Sequence, residues 1–188
     1  MPEINPPALI LIDMQMAFRD EAYWGGARNN PDAEEKALSL LSHWRSKDWP
    51  VFHIQHNSAD PNSILKTNRP EGAPLPGFEA LEDETVIEKN VNSAFIGTDL
   101  EERLRASNIN TLVICGLTTN HCVSTTTRMA GNLGFDVTLV GDACATFART
   151  GPDGQSYTAQ DIHDISLANI HGEFCTVMSA AKALEKLA

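Results

Sequence analysis

The chain predicts a three-layer α-β-α fold: a doubly wound, mostly parallel sheet of about six strands, with helices on both faces. Two observations carry that expectation. Apolar runs such as ALILI (Ala8–Ile12) and LVIC (Leu112–Cys115) are continuous instead of alternating. Strands covered on both faces read this way, because parallel sheets are sandwiched between helices. The second observation is order: the strand-like runs are separated by helix-periodic segments, the succession that builds a parallel sheet.

The first strand, Ala8 to Ile12, follows two prolines and ends in Asp13. An acid at the carboxyl end of a central parallel strand points into the crevice where such sheets bind ligands, although a turn or cap role suits the same residue. MQMAFRDEAYWGG has no clear period, and Phe18, Tyr23 and Trp24 read as a flap packed on the domain or as a pocket wall. Asn30 then reads as a helix cap with Pro31 in first position and Asp32, Glu34 and Glu35 in the first turn. Ala33, Ala37, Leu40, Leu41 and Trp44 make the buried face of that helix. Strand two is VFHIQH after Pro50. Alternation puts His53 and His56 on opposite faces, so they do not form a metal pair; His53 reads as a core histidine and His56 as nearer the crevice.

Residues 57–80 are rich in Pro, Gly and Asn, a long connection of the kind that is functional or mobile. Thr85 to Glu88 reads as a short third strand ending at Lys89, and Thr98 with Glu101 as a capping box for a helix that turns Leu100 and Leu104 inward. The stretch TLVICGLTTNHCVSTTTR, Thr111 to Arg128, is a strand closed by Gly116, a polar turn and a helix. With Asn120 as its cap, Cys122 falls near the helix start, where unpaired N–H groups and the helix dipole favour thiolate. A buried structural cysteine is the bland alternative. Phe135 to Val140 reads as another strand ending at Gly141 to Ala143. Thr158 opens a helix with Ile162, Ile165 and Ile170, and Phe174 to Met178 is a last strand. Ser179 starts a final helix with Ala180, Ala183, Leu184 and Leu187.

The length of 188 residues suits a single domain over 1–188. A formal charge of −11 argues against nucleic acid or an anionic membrane as partner, since both require basic surface. No apolar run reaches the length of a membrane span, and MPEINPP lacks the features of a signal peptide. Cys115, Cys122, Cys144 and Cys175 show no paired spacing, which reads as reduced thiols in a cytoplasm.

Asp13, Lys89 and Cys122 stand at matching strand ends, and in a doubly wound sheet those ends open on one edge. A cysteine nucleophile needs a base for its proton and later an acid for the leaving amine; Asp13 can be both, with Lys89 keeping it anionic.

Taken together, LILIDMQMAF, IEKNVNSAF and GLTTNHCVSTTTR resemble the isochorismatase-like cysteine hydrolases, in order and across nearly the whole chain. The resemblance implies a Rossmann-like hydrolase fold and a catalytic triad of Asp13, Lys89 and Cys122. It also implies a cis peptide at Leu117–Thr118, which sets the backbone N–H of Thr118 beside that of Cys122 as an oxyanion hole. Family nicotinamidases carry an Asp-x-His metal motif after strand two; His56-Asn57-Ser58 stands there instead, so no metal and no other cofactor is expected, with His56 and Asp60 as the residual donors. Members that open the vinyl ether of isochorismate do not use a cysteine nucleophile. Cys122 therefore points to the amidase branch, acting on a small C–N substrate. Ether hydrolysis and a catalytically idle metabolite-binding or assembly subunit are the alternatives. Phe18, Asn92 and Phe95 are the candidate pocket residues, and a dimer or tetramer is the oligomeric expectation.

Overall fold

The computed structural model describes residues 6–187. Residues 1–5 of the MPEINPP segment, and the side chain of Leu187, lie outside the described residues. The first half of the chain supplies β1 (Ala8–Ile12), α1 (Glu21–Trp24), α2 (Ala33–Ser46), β2 (Val51–His56), β3 (Thr85–Lys89) and α3 (Leu100–Ala106). The second half supplies β4 (Thr111–Leu117), α4 (Ser124–Asn132), β5 (Asp136–Ala145), the two-residue strands β6 (Arg149–Thr150) and β7 (Ser156–Tyr157), α5 (Ala159–Ala168), β8 (Thr176–Met178) and α6 (Ala180–Leu187). Six strands form one sheet in the order β3-β2-β1-β4-β5-β8, every pair parallel, while β6 and β7 make a small antiparallel ribbon.

The order runs outward from β1 to β3 and then outward again from β4 to β8. The winding therefore reverses between β1 and β4, and the crevice of such a sheet opens at that switch. All of β1 and residues 112–117 of β4 are buried, which accounts for their unbroken apolar runs. Helix α2 buries the predicted Ala33, Ala37, Leu40, Leu41 and Trp44 against the sheet and packs on α6. Trp44 donates its indole N–H to Pro7 O at 2.8 Å, so the large ring is buried without an orphaned donor. By the right-handed crossover rule, this strand order sends α3, α4 and α5 to the face opposite α2.

Several predicted boundaries are corrected. Asn30 does not cap α2, whose N-cap is Asp32; Asn30 instead adopts a φ of 44° and donates to Cys144 O at 2.7 Å. Thr98 and Glu101 do not form a capping box, because the Thr98 hydroxyl donates backward to Ala94 O at 2.5 Å and Asp99 occupies the N-cap. Thr158 does cap α5, in a reciprocal box with Asp161. Ile165 on that helix is 55% exposed, whereas Ile170 is fully buried. Strand β5 continues through Gly141 to Ala145 rather than stopping, and β8 is shorter than Phe174–Met178. The long connection 57–80 is held to the end of β1: Met16 N–H donates to Ala73 O, Leu75 N–H donates to Met14 O, and Leu65, Leu75 and Phe78 are buried.

Candidate active site

The carboxyl ends of β1, β3 and β4 converge at the switch. Asp13, one residue past β1, has a φ of 50°, a left-handed conformation that Asp tolerates better than most residues and that turns the chain off the strand. Its side chain is wholly buried. Lys89, the last residue of β3, has no exposed side-chain surface and donates from Nζ to Asp13 Oδ2 at 2.8 Å. A buried pair of this kind recovers its desolvation only when its remaining polar atoms are also satisfied. Asp13 Oδ1 has no partner among the described residues.

Cys122 reaches the same place by a different local route. Gly116, with φ of 135°, passes so close to β1 that an added Cβ would meet the Ile12 carbonyl oxygen at 2.1 Å. Only glycine fits there. The β4–β5 register shifts at this point, the Leu117–Thr118 peptide is cis, and residues 119–123 make one turn of π-helix before α4. Thr118, not Asn120, takes the cap position. Asn120 is spent elsewhere, its Oδ1 accepting from the Thr146 hydroxyl at 2.5 Å, and Thr119 Oγ1 meets His163 Nδ1 at 2.8 Å. The turn that carries the thiol is thus pinned from β5's end and from α5.

The reactive atoms of Asp13, His56 and Cys122 all lie within 4.8 Å of one another. His56 Nδ1 is 3.8 Å from Cys122 Sγ, 3.8 Å from Asp13 Oδ2 and 3.0 Å from Lys89 Nζ. The Cys122 thiol also faces Asn92 Oδ1 at 3.8 Å. Asn92 is held there by α4: its carbonyl accepts from the Thr126 hydroxyl, which in turn accepts from Ala94 N–H. Burial and the Asp13 charge push the Cys122 thiol up, against the pull of Lys89. The expectation of a preformed thiolate is therefore corrected: with 6% exposure, desolvation raises the group and it rests as a thiol. Burial first, then the Lys89 ammonium, push His56 below the ordinary histidine range, so its ring is neutral near pH 7.

The other pocket candidates, Phe18 and Phe95, both make ring contacts within the fold. Phe18 is 2% exposed and stacks on Trp24, which stacks on Phe147; Phe95 stacks on Phe135. Asp60 is exposed and binds its own loop through Asn62 N–H. The donor set Asp13, His56 and Cys122 has the composition of a metal site, but the Lys89 ammonium already touches two of the three donor atoms and supplies the positive charge an ion would bring.

Gln15 is a site residue that the sequence did not single out. It is fully buried, accepts from His56 N–H at 2.8 Å, and donates to His56 O at 3.1 Å and Gly72 O at 2.9 Å. Its amide ties β1, β2 and the long loop together two residues beyond Asp13.

Residues 7–182 match the isochorismatase domain model. The chain is 48% identical over 172 residues to the isochorismatase family protein YrdC of Bacillus subtilis (strain 168), covering 92% of this chain and 91% of that one. It superposes on a crystal structure of an isochorismatase-family hydrolase from Chromobacterium violaceum ATCC 12472 with a TM-score of 0.94 and 45% identity, covering 98% and 95% of the two chains. Nicotinamidase 3 of Arabidopsis thaliana is 28% identical over 200 residues, 99% of this chain and 91% of that one. The chain belongs to the isochorismatase family of hydrolases.

Proposed function

We propose that the protein is a cysteine-dependent hydrolase that cleaves the C–N bond of a small amide, carbamoyl or ureido compound through a thioester. The observation that carries this reading is a buried carboxylate with one free oxygen, Asp13 Oδ1, beside a cysteine thiol and a fixed ammonium. Asp13 takes the Cys122 proton as the sulfur attacks the carbonyl carbon, which suits a thiol whose resting pKa is high. The backbone N–H groups of Thr118 and Cys122 receive the oxyanion. Collapse breaks the C–N bond, and the proton on Asp13 goes to the departing ammonia or amine. Water then attacks the thioester with Asp13 again as base, releasing the acid and returning the proton to sulfur. The Lys89 ammonium offsets the negative charge that passes between Asp13 and Cys122.

The relation to nicotinamidase 3 supports an amide substrate class, while the His56-Asn57-Ser58 segment supports one turned over without a metal ion. A screen of small amides, ureas and carbamoyl compounds for ammonia or amine release tests the reading. Release by the native chain, and its loss in Cys122→Ala, is expected; hydrolysis that survives Cys122→Ala overturns it.

A further inference from the structure

We propose that His56 is a positioning residue of this site, holding the Lys89 ammonium on one oxygen of Asp13 so that the other stays free to act as base. The proposal rests on the reading of Cys122 as nucleophile. His56 and Lys89 are register partners, side by side at the ends of β2 and β3. The Lys89 ammonium donates to Asp13 Oδ2 at 2.8 Å and to His56 Nδ1 at 3.0 Å. An ammonium has no lone pair, so Nδ1 must be the acceptor and the ring proton must sit on Nε2. Gln15 binds both the backbone N–H and the backbone carbonyl of His56, which fixes the point from which the ring projects.

Without the imidazole, the ammonium loses its second acceptor. An unfilled acceptor on the same carboxylate is Asp13 Oδ1, the oxygen the mechanism needs. A forked Lys89–Asp13 pair would then block the base and draw the positive charge away from sulfur. His56 also makes the arrangement sensitive to acid. The titratable groups facing it are Asp13 from β1, Lys89 from β3 and Cys122 from the π-turn. The ring is neutral above the ordinary histidine value of 6.5, and burial with Lys89 moves its protonation lower still. As pH falls through that range, a protonated ring can no longer accept from the ammonium, and the two cations repel.

The test is the rate at which iodoacetamide alkylates Cys122 in the full chain, followed by peptide mass spectrometry from about pH 5 to 8. His56→Ala is expected to slow alkylation at neutral pH on the order of tenfold, the equivalent of one pKa unit of lost charge stabilisation. His56→Asn, whose amide oxygen can replace Nδ1 as acceptor, is expected to recover the native rate within a few-fold. The native rate is expected to fall on the acid side more steeply than loss of one thiol proton requires, and His56→Asn to follow the single-proton line. An unchanged rate in His56→Ala, or an Asn variant that keeps the steep acid limb, overturns the proposal. Should His56→Ala fail to fold, the pH profile of His56→Asn decides alone. If Cys122→Ala keeps turnover of an accepted amide, the nucleophile reading falls and this inference with it. Turnover that needs Cys122, with an indifferent His56→Ala, removes only the inference.

Discussion

Strand β2 carries two histidines, and each completes a cluster of the same composition: a cation, a carboxylate and an imidazole. On one face His53 joins Glu84 and Arg45; on the other, His56 joins Asp13 and Lys89. Burial lowers the pKa of both rings. The clusters differ in how completely the carboxylate is used. Arg45 grips Glu84 with two bonds of 2.7 and 2.8 Å, and Oε2 also accepts from Leu81 N–H and meets His53 Nε2 at 2.8 Å. Burial alone would raise Glu84, but these donors outweigh it and hold the carboxyl at about 2. Asp13 has a lysine in place of the arginine fork, and Oδ1 is left unpartnered. A saturated cluster can only hold the fold together. A cluster with a spare basic atom beside a thiol can move a proton, and the choice of Lys over Arg leaves that atom spare.

The largest effect is expected at the atom that makes the second cluster reactive. Cys122→Ala and Cys122→Ser should abolish turnover of any accepted amide, because the first removes the attacking sulfur and the second replaces it with a far less acidic hydroxyl. The fold should survive, since the change removes or swaps one buried atom; far-ultraviolet circular dichroism and a thermal melt check this. Retained turnover would move the chemistry away from Cys122.

Next comes Asp13→Asn, which keeps the shape and removes the base. Chemistry should drop by more than the roughly 10²–10⁴-fold of one general base, because the leaving amine loses its acid as well. Lys89→Met should give a loss of comparable kind, and the double variant should be hardly worse than either single one, as residues acting as a unit are not additive. Single-turnover rates of the three variants measure this. Losses that simply multiply would mean that Asp13 and Lys89 act independently and that the two clusters differ less than their geometry suggests.

The same contrast predicts the opposite outcome at Glu84. Glu84→Gln should leave single-turnover chemistry unchanged while destabilising the fold by about 1–3 kcal/mol, the range for breaking a buried hydrogen-bonded group. Its pH dependence has a definite sign. The folded pKa is lowered from 4.5 to about 2, so the contribution is present above pH 4.5 and is lost as pH falls toward 2. Native melting temperature should decline across that window, and the Glu84→Gln chain should decline less. Equal declines would assign acid lability elsewhere.

How much of this contrast the sequence disclosed depends on whether a residue's partner is near in sequence. Asp13, Lys89 and Cys122 could be placed because each ends or follows a strand, and strand ends of a doubly wound sheet share an edge. The buried face of α2 was legible from its period. Two cap assignments failed for one physical reason. The Asn30 and Asn120 side chains look like local caps, but the distant Cys144 O and Thr146 hydroxyl take their hydrogen bonds instead, whereas Thr98 failed locally, its hydroxyl turning back to Ala94 O. Thr158 succeeded because Asp161, three residues on, closes the reciprocal box locally. Gln15 and His163 gave no signal, since a lone amide or imidazole has no period and their partners lie 41 to 57 and 44 residues away. Cys122 was placed correctly but its ionisation was not, because a turn dipole can be read locally and the depth of burial cannot.

The smallest expected effect sharpens the comparison from the other side. Asp13, His56 and Cys122 offer oxygen, nitrogen and sulfur within 4.8 Å of one another, a donor set that zinc accepts. Arg45 cannot be displaced from the Glu84 cluster without breaking two bonds to one carboxylate, whereas Lys89 holds Asp13 by one bond and His56 by another. If either cluster were to admit a metal ion, it would be the second. Yet an entering divalent ion would have to evict an ammonium whose side chain has no exposed surface, and would have to strip the proton from a thiol whose pKa is already raised. Prolonged treatment with chelator should therefore leave both turnover and melting temperature unchanged, and elemental analysis of the purified chain should find no stoichiometric zinc or iron. Lys89→Met removes the competing cation and should be the variant in which zinc first binds, seen as a rise in melting temperature with added metal. Activity lost to chelator in the native chain and restored by zinc would show that the ammonium does not hold the place, and that the nucleophile works beside an ion.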